Sequence, residues 1–200
     1  MRGKVKRNIR IVRYIFYRET LIEREELMWT FLGSFCGIGL IGLSQHYFIN
    51  GVTAVFLIGS FGASSVLVFG AIQSPLAQPR NLVGGHLLSA FVGVACNSVF
   101  EFFPLLAASL AVAVSILLMQ VTRTLHPPGG ATALIAVIGS DQVKLLGWWY
   151  ILFPVLSGVV ILLVVALVFN NLSKERKYPT SDRYTKVLKR LTRGQGERRV

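Results

Sequence analysis

The sequence predicts an all-α, polytopic membrane protein: a transmembrane helix bundle of about six membrane segments, arranged as two inverted three-helix repeats with broken second and fifth helices. Three observations carry this. Charge is confined to the ends, since eighteen of the 21 Lys and Arg lie in residues 1–28 and 173–200. Between Phe31 and Leu172 the only charged side chains are Arg80, Glu101, Arg123, Asp141 and Lys144. A surface facing water could not be solvated by so few charges, so the solvent there is lipid. The apolar runs also approach the roughly 20 residues that a span requires.

Three regions follow: a cytoplasmic basic amphipathic segment at 1–28, a transmembrane region at 29–172 and a cytoplasmic basic tail at 173–200. The net charge of +12 and pI near 10.3 do not indicate nucleic acid. The basic residues flank apolar segments and form no folded basic module. They read as cytoplasmic charge held by the positive-inside rule, with anionic lipids as partners. Ile9, Val12, Ile15, Phe16 and Ile22 among the charges of residues 5–26 predict a helix lying on the headgroups. No short apolar core with a small-residue cleavage site follows the first basic residues, so no cleavable signal is expected, and with no chloroplast transit peptide evident a multi-pass bacterial inner membrane is the expected home. Cys36 and Cys96 both lie in apolar runs with no CxxC or His/Cys cluster, which leaves no metal or cofactor site.

The first segment, 29–48, ends at Asn50-Gly51. Its Gly33, Gly37, Gly39 and Gly42 suit close helix packing and allow a homodimer. The second, 52–72, is interrupted by Gly59-Ser60-Phe61-Gly62. Ser74-Pro75 and Gln78-Pro79-Arg80 mark a loop. The third covers 81–100 and closes at Glu101 and Pro104; the fourth covers 105–124. The fifth, 126–139, is short and opens with Pro127-Pro128-Gly129-Gly130. A polar loop at 141–147 precedes the sixth, 148–170, whose Trp148, Trp149 and Tyr150 form an interfacial anchor.

Segments two and five resemble one another: Gly62-Ala63-Ser64-Ser65 lies beside Gly130-Ala131-Thr132-Ala133, and an apolar helix follows each. Basic tails on one side require an even number of crossings. Six put Arg80 and Arg123 on the cytoplasmic side, whereas four with re-entrant second and fifth segments put both outside, so the positive-inside rule favours six. Halves with three crossings each are then inverted.

Interrupted helices at matching places in inverted halves point to a transporter binding site, because a helix starting inside the membrane presents free amides to an anion. The expected site comprises Gly62, Ala63, Ser64 and Ser65 at one break, and Gly129, Gly130, Ala131 and Thr132 at the other. His126 and His86 are candidate donors, and Arg80 and Arg123 candidate sources of a positive field. Packing glycines, cytoplasmic anchor arginines and a histidine bonded to a freed carbonyl are the plainer alternatives at these positions.

His126-Pro127-Pro128-Gly129-Gly130-Ala131-Thr132-Ala133-Leu134 resembles the signature of the HPP family of integral membrane proteins. Gly59-Ser60-Phe61-Gly62-Ala63-Ser64-Ser65, Ser74-Pro75-Leu76-Ala77-Gln78-Pro79-Arg80-Asn81 and Gly84-Gly85-His86 are similar to it too. The resemblance covers most of 52–170 and implies a membrane transporter; plant chloroplast and cyanobacterial relatives are linked to nitrite transport. That family is usually described with four spanning helices, against the six expected here. An enzyme is not expected: there is no intramembrane aspartate pair, HExxH or GxSxG, and no evident polar partner for His126. A channel, or a scaffold or sensor that transports nothing, are the other readings.

Overall fold

A computed structural model describes residues 24–48, 54–173 and 176–180. The expected headgroup helix and most of both basic tails lie outside these residues. The described residues form helices with no strand: α1 (Arg24–Phe48), α2 (Ala54–Ser65), α3 (Pro79–Val99), α4 (Pro104–Val121), α5 (Pro127–Ile138), the single turn and a half of α6 (Asp141–Leu145) and α7 (Ser157–Phe169). A π-helical stretch, Val66–Gly70, continues α2, and another, Ile151–Leu156, leads into α7. Four helical stretches are long and apolar enough to cross a membrane, at Arg24–Tyr47, Pro79–Val99, Pro104–Val121 and Ile151–Phe169.

End contacts order these helices between two faces. Arg176, beyond α7, donates to the Phe69 carbonyl at the end of α2 and to Thr30 Oγ1 near the start of α1. Arg80, at the start of α3, donates to the Thr122 carbonyl just past α4. Tyr178 donates to the carbonyl of Ala77, two residues before α3. At the other face, Asn97, Glu101, Pro104, Asp141 and Lys144 line one cleft of about 520 Å³. Directions therefore alternate along α1, α2, α3, α4, α5 and α7.

The tightest seam joins α3 to α5, which run parallel with α4 against both. A Cβ on Gly85 would fall 2.5 Å from His126 Cβ, and one on Gly93 would fall 2.6 Å from the Ala133 carbonyl. Gly129 answers from the other side, where a Cβ would fall 2.9 Å from the Gly85 carbonyl. Spacing of four residues along Gly85, Ser89 and Gly93 puts small groups on one helix stripe, so the backbones approach as membrane helices do. Gly33 and Gly37 on α1 are spent inside the chain, against the Phe69 ring and Leu162, while Gly39 and Gly42 meet nothing within 4 Å. Large apolar side chains such as Phe31, Phe35, Phe91, Phe103 and Val160 point outward, as lipid contact demands.

Two expectations are corrected. The second helix is not broken at Gly59 and Gly62; it runs unbroken from Ala54 to Ser65. Glycine costs a helix only about 1 kcal/mol, and without water a freed amide costs more, so the helix continues. The irregular backbone instead lies at the π-turn ending in Gly70 and at Phe153, whose φ and ψ of −137° and 120° kink the chain before Pro154. Proline has no amide to donate and crowds the preceding turn, which places the kink there. The fifth element starts at Pro127, not near Gly130, and is a short helix rather than the second half of a broken one.

Candidate functional site: two buried histidines on one serine

The Pro127-Pro128 pair fixes the start of α5 by presetting φ at its first turn. It also removes two amides, and the next, Gly129 N–H, donates to the His126 carbonyl at 2.8 Å. The first turn thus presents no free amide to an anion until Gly130. The polar groups at this depth are side chains.

They form one connected string. His126, capping α5, has Nδ1 at 2.8 Å from the Leu76 carbonyl and Nε2 at 2.9 Å from Ser64 Oγ on α2. The same Ser64 Oγ lies 2.8 Å from Nε2 of His86 on α3. His86 Nδ1 lies 2.7 Å from Thr132 Oγ1, one turn into α5. Ser64, His86, His126 and Thr132 are all fully buried. The imidazole centroids stand 5.0 Å apart, and the Phe61 ring lies 5.2 Å from that of His86.

One proton arrangement satisfies the string. A carbonyl only accepts, so His126 Nδ1 carries the hydrogen and its Nε2 accepts. Ser64 donates to that Nε2, and His86 Nε2–H donates to Ser64 Oγ. His86 Nδ1 then accepts from the Thr132 hydroxyl. Every donor points the same way along the string. Ser64 Oγ also lies 3.1 Å from the Ser60 carbonyl, a second target for its hydrogen.

The surrounding backbone is tied to hold this string. Leu76 N–H donates to Ser74 Oγ, and Gln78 Nε2 donates to the carbonyls of Ile72 and Ser74. Asn81 Nδ2 donates to the Leu125 carbonyl at 2.7 Å, pinning the residue before His126 to α3. Tyr150 donates to the Thr132 carbonyl at 2.9 Å.

Of the residues expected at the site, the structure joins Ser64, His86, His126 and Thr132. Ser65 is buried beside them, its hydroxyl without a partner. Gly129 packs the α3–α5 seam. Gly62 and Gly130 meet nothing closer than 4.0 Å, Ala63 is exposed and Ala131 is half-buried, so none of these four supplies a group to the string. Arg123 is exposed, with φ of 57°. It occupies the left-handed position that ends α4: its N–H donates to the Gln120 carbonyl and that of Thr124 to Met119.

The expectation that His126 lacks a polar partner is overturned by Ser64 and Leu76. Sequence reading also missed Leu76 and the segment after α7, and it took Tyr150, which is buried, for part of an interfacial anchor. There, burial lowers the pKa of the Arg176 guanidinium from its ordinary value, with Glu26 opposing, and raises that of the Tyr178 phenol. Tyr178-Pro179, an aromatic and a proline in a run of charge, was the available signal.

A transmembrane protein of Dictyostelium discoideum is 48% identical over 169 residues, covering 81% of this chain and 58% of its own. A second from the same organism is 46% identical over 164 residues, 78% of this chain and 51% of its own. The chain spans a little over half the length of these relatives, whose names say only that they are transmembrane proteins. No solved structure matches. The family description of the HPP transmembrane region matches residues 19–179, a stretch that holds both imidazoles, their serine and the Pro-Pro turn. On that match over most of its length, this chain belongs to the HPP transmembrane family.

Proposed function

We propose that this chain transports a small inorganic anion, nitrite being the leading candidate, across the cell membrane, which its helices cross six times with both termini cytoplasmic. One observation carries the reading: two buried imidazoles on different helices share one hydroxyl, while among the described residues the one buried side chain of fixed charge, Arg176, lies at the face beyond α7. Polar groups are costly at membrane depth, face the bundle interior and mark substrate paths. Hydroxyl and imidazole hydrogens can turn to an anion, and no Asp or Glu is among the buried polar residues described. The alternating directions of the six helices, with α2 and α5 shorter than the rest, support six crossings.

The binding groups are then side chains, namely Ser64, Ser65, His86, His126 and Thr132. Residues 62–63 and 130–131 act as helix backbone. Purified protein in liposomes is offered nitrite, nitrate, formate and chloride in turn. Saturable, protein-dependent nitrite uptake is expected. Thr132→Val keeps the shape but removes the hydroxyl, and uptake falls about tenfold or more, the equivalent of one unpaired buried group. Folded protein that moves none of the four anions would instead leave a scaffold or sensor.

A further inference from the structure

Among the described residues, an anion that reaches Ser64 meets no fixed positive charge. Arg24, Arg80, Arg123, Lys144 and Lys177 are exposed, and the buried Arg176 is engaged by the Phe69 carbonyl and Thr30 at the face. An unpaired anion is strongly disfavoured away from water. Of the string's own members, His86 and His126 alone can become cationic, so occupancy by an anion is linked to uptake of a proton.

The string is built to take that proton without moving a heavy atom. In the neutral arrangement Ser64 spends its hydrogen on His126 Nε2. When the hydroxyl turns to the Ser60 carbonyl, 3.1 Å away, Ser64 Oγ offers lone pairs to both imidazoles. His126 can then donate from both nitrogens, to Leu76 and to Ser64, as an imidazolium does. Few other titratable or charged groups stand on the surrounding elements. Among the described residues they are Arg24, Glu25, Glu26, Cys36, His46 and Tyr47 on α1, Arg80 and Cys96 toward the two ends of α3, Arg123 after α4, Glu101 before it, Asp141 and Lys144 on α6, Tyr150 ahead of α7, and Arg176, Lys177 and Tyr178 beyond it. Tyr150 touches the string at the Thr132 carbonyl, and Tyr178 bonds Ala77 beside Leu76; neither supplies a positive charge there.

We propose that each anion is carried with one proton held at His126 Nε2, which makes this chain an electroneutral proton–anion symporter. This rests on the anion-transport reading above. The proton enters from water at one face, sits on His126 while the anion takes the otherwise unpartnered Ser65 hydroxyl beside the string, and leaves with the anion at the other.

The test uses the full chain in liposomes with an internal pH dye and a potassium–valinomycin clamp of the membrane potential. Protein-free vesicles correct for leak of undissociated nitrous acid. The expected result is one proton moved inward per nitrite, at a rate unchanged by a potential of either sign and increased by outside acid. A second expectation is that His126→Gln, which preserves a donor to Leu76 but takes no proton, loses the acceleration by outside acid. Saturable nitrite flux that follows the potential and moves no proton overturns the symport proposal and leaves transport standing. Absence of any anion flux from folded protein overturns both. The wild-type measurement decides the matter even where the variant fails to fold.

Discussion

At the residue scale, the two histidines show what the sequence could and could not convey. His86 and His126 stand out in a segment with few other ionisable groups, and intramembrane ionisable residues invite a functional reading. Their meeting on Ser64 was not legible, because it depends on the register in which α2, α3 and α5 pack. The repeat offered a hint: Ser64 and Thr132 occupy matching places in the two Gly-Ala-hydroxyl motifs, and in the structure they bind the two nitrogens of one ring, His86. Arg123 stands outside the string for a local reason. Its φ of 57° belongs to a helix stop where glycine is usual, and a side chain in that region costs about 1–2 kcal/mol. Arg123→Gly is therefore expected to raise the melting temperature of purified protein and leave anion flux unchanged. A fall in flux would restore the arginine to the transport path.

At the element scale, apolar run length located the third, fourth and sixth segments to within a few residues. The short fifth was bounded by its own breakers, Pro127 and Gly139. The second was misjudged because glycine was weighed as it would be in water, where a helix can open to solvent. In lipid the ladder persists, and the kink falls at Pro154, where an amide is chemically missing. Glycines therefore act here by what they let approach. Gly93→Leu drives a side chain into the Ala133 backbone and is expected to destabilise the fold by about 1–3 kcal/mol or more. Gly39→Leu, with open space around it, is expected to change little. Paired thermal melts in detergent check this, and equal melting temperatures would mean that the α3–α5 seam is looser than described.

At the scale of the whole molecule, charge distribution announced lipid as the solvent. The contact of Arg176 with Thr30 now joins the two ends of the bundle directly. Sequence assigned residues 173–200 to a solvated tail because lysine and arginine dominate them. Residues 176–180 instead lie across the turn before α3: Tyr178 is 2% exposed and donates to Ala77, Asn171 Nδ2 donates to the Tyr178 carbonyl, and Thr180 N–H donates to Gln78 Oε1. Periodicity cannot reveal a segment that is neither helix nor strand. A chain ending after residue 180 is expected to keep its melting temperature and flux, whereas one ending after 173 loses several degrees and most transport. Intact transport by the shorter chain would make the segment dispensable.

That segment also sets an order of events during synthesis. Leu76, whose carbonyl holds His126, sits in a turn that is made early, yet its neighbours Ala77 and Gln78 receive their partners from residues translated after every helix has been inserted. The turn before α3 thus stays untied until the chain has been made past α7. A product cut short after α7 would carry every helix named above and still leave the Ala77 carbonyl and the Gln78 side-chain oxygen without these partners.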